Sequence, residues 1–215
     1  MRPVVCLITD RRRLGAAWET ALVERVRAAA LAGVHLIQVR ERDLDGGPLA
    51  RLVERCVDAV HGTRARVLVN DRVDVALAAG AHGLHLRGDS MDASRVRRIV
   101  PSGFLIGRSV HTLEEAIRVS ASGSLDYLVF GAVFDTGSKP GHAPAGLDRL
   151  ARVSAATALP VLAVGGMSAA NAADAARAGA AGIAAIGLFA EGAVDAMPGI
   201  VARIAAAFDT PERGP

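Results

Sequence analysis

Apolar residues along this chain follow two alternating rhythms. Short β-rich runs recur in the order VVCLITD, HLIQVRE, RVLVND, GLHLR, FLIGRSV, YLVFGAVF, PVLAVGG and GIAAIG. Between them lie Ala- and Arg-rich stretches whose apolar residues recur every three to four positions, as from Ala21 to Gly33, the spacing of one helix face. Gly33, Gly80 and Gly179 each stand just before a run, where a helix C-cap belongs. Ser168 and Thr112 are expected to open helices, the second with Glu115 placed for a capping box. No Pro/Gly/Ser-rich linker divides the chain. The pattern predicts a single-domain (β/α)8 barrel, a TIM barrel, over residues 1–208, with an unstructured tail, DTPERGP, at 209–215. At about 27 residues per unit it is compact beside the roughly 250 residues typical of the fold. A doubly wound open sheet gives similar local patterns; the count of eight and the even spacing favour the barrel.

In such a barrel the polar residues ending the strands converge on one mouth. In QVRER, strand alternation puts Gln38, Arg40 and Arg42 on one face and Val39 and Glu41 on the other. Three long donors there form an anion cradle, since arginine grips phosphate bidentately; the bland reading is a solvated strand end. In VND, Asn70 and Asp71 are either metal or substrate ligands, or Asp71 caps the next helix. GRSVH offers Ser109 and His111, without the oxyanion-hole motif of a nucleophilic enzyme. YLVFGAVF, apolar to Phe134, runs into Thr136, Gly137, Ser138 and Lys139. This loop lacks Walker A spacing, yet two hydroxyls, a glycine and a lysine suit a phosphate. Gly165, Gly166 and Gly187 end the last two runs, where barrels often bind phosphate through backbone amides. The residues thus describe two anion sites at one mouth, one of long cations (Arg40, Arg42, Lys139) and one of glycine amides.

Composition narrows the partners. The chain is 51% hydrophobic and only 3% aromatic, so its core is largely Ala, Val, Leu and Ile, which suits a helix-covered parallel sheet. The formal charge is +3 and the pI about 9.5. Arg11 to Arg13 and Arg95 to Arg98 lack interleaved aromatics or a binding motif, so they read as solvated faces and no nucleic-acid partner is expected. Cys6 and Cys56 have no metal or redox spacing, which suggests a reducing compartment. VVCLIT begins without a leader pattern, and Asn171, Asp174 and Arg177 interrupt the apolar stretch from Leu159 to Ala190, so no membrane span is expected. The expected location is cytoplasmic.

Five stretches, LIQVRERDL, VNDRVDVALAAGAHGLHL, IGRSVHTLEEA, YLVFGAVFDTGSKPG and PVLAVGGMSAANAADAARAGAAGIAAIG, resemble in order the family of thiamine phosphate synthase and its TenI-type relatives. The resemblance implies a barrel, expected as a homodimer or larger. It would join hydroxymethylpyrimidine pyrophosphate to thiazole phosphate with Mg²⁺ and release pyrophosphate. It implies catalytic roles for Arg40, Arg42 and Lys139. Gln38, Asn70, Ser109, Thr136, Ser138, Gly166, Ile186 and Gly187 would contact substrate, and Asp71 would bind metal. Arg42 stands where the family usually has lysine, and Gly187 where it has serine. A second metal-binding aspartate falls on Ser90, with Asp89 and Asp92 beside it. Asp89 replaces it if the loop shifts by a residue; otherwise Asp89 or Ser90 caps the next helix. The TenI-type catalytic histidine falls on Ala132. Two other readings therefore stand: a thiazole phosphate isomerase using His85 or His111, and a non-catalytic phosphate-ligand binder.

Overall fold

The computed structural model describes residues 3–136 and 143–209. Eight strands form in the predicted order: β1 Val4–Ile8, β2 Leu36–Val39, β3 Arg66–Asn70, β4 Gly83–Leu86, β5 Leu105–Val110, β6 Tyr127–Gly131, β7 Val161–Val164 and β8 Gly182–Ala185. All neighbours pair in parallel, and β8 returns to pair with β1, closing a barrel. The helices after the successive strands are α1 Trp18–Leu31, α2 Gly46–Ala59, α3 Val73–Ala78, α4 Ala93–Arg97, α5 Leu113–Ser120, α6 Gly146–Ala155 and α7 Ala172–Arg177. A short α8, Gly187–Ala190, and the closing α9, Met197–Phe208, follow β8. Beyond Asp209 the expected tail lies outside the described residues.

Alternation along each strand sorts the apolar residues into two layers. Cys6, Ile8, Leu36, Leu68, Tyr127, Val129, Leu162 and Ala184 fill the interior. Val5, Leu7, Ile37, Val67, Val69, Leu84, Leu86, Ile106, Leu128 and Phe130 face outward and join the helices' apolar stripes, such as Leu22, Val26 and Ala29 of α1. Each layer holds one cysteine, both buried and unpaired, and burial pushes each thiol up to about 12. No described helix is long and apolar enough to cross a membrane.

The predicted C-caps form. Gly33, Gly80 and Gly179 all have positive φ, and each is followed by the paired backbone bonds of a Schellman turn. Val34, Ala81 and Ala180 N–H groups donate to Ala29, Ala76 and Ala175 at 2.9, 2.9 and 3.0 Å. Thr112 caps α5, accepting from the Glu115 amide at 3.1 Å. The capping box is displaced by one residue, because the Glu115 carboxylate accepts from the His111 amide instead.

Four expectations are corrected. Ser168 does not open α7; Asn171 occupies the cap position, and Ser168 and Asn171 bond each other across the preceding turn. β6 stops at Gly131, although the Val133 and Phe134 amides still donate to Val164 and Gly165 carbonyls. β2 ends at Val39, so Arg40 and Arg42 lie in the loop beyond it. The arginine clusters are not simply solvated: Arg11 stacks over Trp18 and pairs with Asp43, while Arg97 binds Asp126 and the Phe104 and Ser124 carbonyls.

Inside the barrel Tyr127 lies across Gly107, and a Cβ at that position would overlap its ring. Gly107→Ala should displace Tyr127 and lower stability by about 1–3 kcal/mol, the usual cost of overpacking. Urea unfolding would register this as a lower midpoint at unchanged slope; an unchanged midpoint would show that the ring has room to move.

Candidate active site

The C-terminal strand ends open onto one cavity of about 1920 Å³, which receives Gln38, Arg40, Arg42, Asn70, Asp71, His85, Asp89, Ser109, Thr136, Gly166, Ile186 and Gly187. Ser138 and Lys139 lie outside the described residues. The sequence-predicted positions otherwise converge, though not all their side chains meet.

On the β2–β5 side the polar groups form a buried lattice. Gln38 Nε2 donates to Asn70 Oδ1 at 3.0 Å. The neighbouring inward position, His85 on β4, is 2% exposed. Its Nδ1 lies 3.0 Å from the Tyr127 hydroxyl and its Nε2 2.8 Å from Ser109 Oγ. A neutral imidazole has one N–H and one acceptor nitrogen, so one hydroxyl donates to the ring and the other receives from it. Burial first, then the charges of Arg40 and Arg108, lowers the His85 pKa to about 3.

Asp71 follows β3 with φ of 64°. The Arg72 amide donates to the Asn70 carbonyl at 2.9 Å across it, closing a three-residue turn, while the Asp71 amide donates to His85 O at 3.0 Å. Positive φ is costly for a residue with a Cβ and persists only where surrounding structure imposes it. The turn aims the carboxylate into the mouth. There it accepts from the Ser90 hydroxyl, and Arg87 Nε lies 3.8 Å away. Asp71 is therefore not a helix cap; Arg72 occupies that position before α3.

The loop after β4 adopts neither arrangement expected at residues 89 and 90. Ser90, not Asp89, meets Asp71. Asp89 instead accepts from Arg87 Nε at 2.9 Å on the rim, with 71% of its side chain exposed. Neither residue caps α4; Asp92 does, accepting from the Ser94 amide at 2.9 Å. The loop is pinned from beneath by Arg108, 7% exposed, which donates to the carbonyls of Gly88, Ser90 and Met91 at 2.8, 3.0 and 3.0 Å.

Beyond β2, Glu41 turns away from the barrel interior, to the side of Val39, as alternation predicts. Its carboxylate accepts from Thr9 Oγ1 at 2.5 Å and from the Arg11 amide at 3.2 Å. Burial raises its pKa. Fixing Glu41 leaves Arg40 and Arg42 at the cavity; burial, then the Arg42 charge, lowers the Arg40 pKa. An anion entering there relieves cationic crowding.

Across the mouth, Gly165 and Gly166 carry φ of 94° and 63°, and a Cβ on either would overlap the Ala132–Asp135 segment. The two glycines thus let the Ala132–Asp135 segment pack directly against the backbone after β7 at this wall of the cavity. Ile186 caps α8 and Gly187 begins it. Tyr127, Arg108 and Arg13 also matter at the site, yet they escaped the strand-end reading. Tyr127 sits at the base of β6, Arg108 lies on the outward face of β5 beside Ser109, and Arg13 lies in a short turn after β1.

A family model described as thiamine monophosphate synthase matches residues 5–189. The chain belongs to that family. A thiamine-phosphate synthase of Roseiflexus sp. (strain RS-1) is 41% identical over 152 residues, 70% of this chain and 63% of that protein. One from Chlorobium luteolum is 34% identical over 155 residues, 72% of this chain and 69% of the relative. Each alignment thus leaves about a third of the relative unmatched. Among solved structures, thiamine phosphate pyrophosphorylase from Pyrococcus furiosus superposes with a TM-score of 0.81 at 31% identity, covering 95% of this chain and 96% of that one. A 3-hexulose-6-phosphate synthase, at 16% identity and a TM-score of 0.69, shares the fold alone.

Because His85 stays neutral when folded but protonates near 6.5 when unfolded, the unfolded state takes up the extra proton as pH falls. Stability should therefore drop as pH is lowered from about 6.5, by up to about 1.4 kcal/mol per unit from this residue. Urea titrations between pH 6.5 and 5 check this: His85→Gln should flatten the slope relative to wild type. Parallel slopes would assign the dependence to other groups.

Proposed function

We propose that this family member joins a pyrimidine pyrophosphate to thiazole phosphate, forming thiamine phosphate and releasing pyrophosphate. The observation that carries this is the pairing of two unlike walls in one cavity: guanidinium groups at Arg40 and Arg42, and the glycine backbone of Gly165, Gly166 and Gly187. The two anionic substrates of such a condensation need two separate grips, and the names of the relatives agree with that chemistry.

Each residue then has a task. The Gln38–Asn70 amide pair reads the pyrimidine edge, with Ser109 beside it. Arg40, Arg42 and Lys139 hold the pyrophosphate and stabilise the charge it gains as the C–O bond to the pyrimidinyl methyl group breaks. The electron pair leaves with pyrophosphate. The thiazole nitrogen donates its lone pair to the methyl carbon, forming the new C–N bond. Thr136, Ser138, Gly166, Ile186 and Gly187 hold the thiazole phosphate so that this nitrogen faces the carbon.

The donor set near Asp71 is all oxygen: one carboxylate and the Ser90 hydroxyl. Among the described residues no three His, Cys, Asp or Glu groups assemble into a metal cage. Such a set suits Mg²⁺, which keeps waters and substrate oxygens and needs only one or two carboxylates. When bound, Mg²⁺ would neutralise pyrophosphate charge; Asp71 would hold it, and Asp89 would reach it only by leaving Arg87. A cytoplasmic location and a homodimer belong to the same reading. The isomerase reading gains nothing from His85, since both its nitrogens are engaged and burial disfavours its protonated form.

Mixing the protein with both phosphorylated substrates and Mg²⁺ should yield thiamine phosphate and pyrophosphate, and no thiamine phosphate would overturn the proposal. Asp71→Asn should cut turnover by about 10²-fold or more, and undiminished turnover would remove Asp71 from the mechanism.

Ser90→Asp replaces a hydroxyl that donates to Asp71 with a second carboxylate. The variant should melt below wild type in EDTA and recover in Mg²⁺, whereas wild type should change little. Equal melting in both conditions would deny a cation site here.

A further inference from the structure

The RRR stretch after β1 carries a second consequence for the site. It forms a turn, Arg11–Arg13, capped by Asp10, whose carboxylate accepts from the Arg12 amide at 3.3 Å. The same carboxylate accepts from Arg13 Nε at 3.1 Å, fixing the guanidinium stem. Arg13 Nη1 then reaches from the β1 end to the adjoining β8 end, where it meets the Glu191 carboxylate, far away in sequence, beyond the end of α8. Both groups converge on Gly187. A Cβ built there would stand 3.0 Å from Glu191 Oε1 and 3.8 Å from Arg13 Nη1. A guanidinium and a carboxylate therefore share the space above the residue where the family usually has a serine hydroxyl.

We propose that Arg13 is a substrate-binding residue that grips the phosphate monoester at the β8 end, and that Glu191 occupies this grip until phosphate displaces it. The proposal rests on the two-anion reading of the mouth. Arginine pairs with carboxylate and phosphate in the same forked geometry, so one anion substitutes for the other without moving the guanidinium. Glu191 is suited to leave: its side chain is 65% exposed, and solvent receives the freed carboxylate at little cost. Arg13 is suited to stay, because Asp10 holds its stem. The glycine at 187 then ceases to be a mere loss, since its missing side chain leaves room for the longer cationic donor.

Calorimetry with thiazole phosphate, and separately with inorganic phosphate, tests this on the intact chain. Arg13→Gln should weaken thiazole phosphate binding about 10- to 100-fold, the loss of a charged hydrogen bond. It should raise the KM for that substrate far more than the KM for the pyrimidine pyrophosphate. Glu191→Gln removes the competing anion and should tighten binding roughly two- to fivefold, a gain that a merely structural ion pair would not produce. Should Arg13→Gln fail to fold, Glu191→Gln decides alone. Unchanged or weaker binding in Glu191→Gln, or an equal rise of both KM values in Arg13→Gln, overturns the proposal. Wild-type protein that binds thiazole phosphate but forms no thiamine phosphate would overturn the synthase reading, while the calorimetric shifts still decide the role of Arg13.

Discussion

Closure of the barrel is the constraint from which the site follows. Once β8 pairs with β1, each strand has one inward and one outward face, and a slip of one residue would exchange them. The register sets Gln38 opposite Ile8 and Asn70 opposite His85, bringing inward polar groups to neighbouring strand ends. Gly107 has no side chain to contest the space crossed by Tyr127, so Tyr127 reaches His85, and His85 in turn reaches Ser109. The polar lattice at the mouth thus stands on a missing side chain whose place the Tyr127 ring fills.

Charge at the mouth is arranged by pairs of different permanence. Glu41 is locked behind β2 by Thr9 and the Arg11 amide, so it shapes the loop while keeping its hydrogen-bonding capacity away from ligands. Asp89 and Glu191, by contrast, meet their arginines on the exposed rim, where an ion pair contributes little net stability. The inner charges build the site, and the rim charges can be exchanged.

The fold was legible because its signals are local and repeated: eight apolar runs, glycines at αβ loops, a threonine cap at Thr112. Strand-end positions were equally legible, because a barrel sends all of them to one face. What escaped depended on distant neighbours. Nothing near GRSV indicates that Arg108 would pass beneath a loop some twenty residues earlier to hold its carbonyls. Nothing in RRR distinguishes Arg97-like surface pairing from a reach to Glu191. Ser168 was misplaced because a Ser-x-x-Asn pair satisfies its own turn before the helix begins.

The two thiols carry a consequence of their own. Cys6 lies within the barrel and Cys56 on the buried face of α2, each protonated and shielded. Alkylation of either must wait for its layer to open, since the thiolate is the reactive form. The wild-type chain therefore carries two native clocks. Labelling at Cys56 times the lifting of helices from the sheet, and labelling at Cys6 times the parting of the strands themselves.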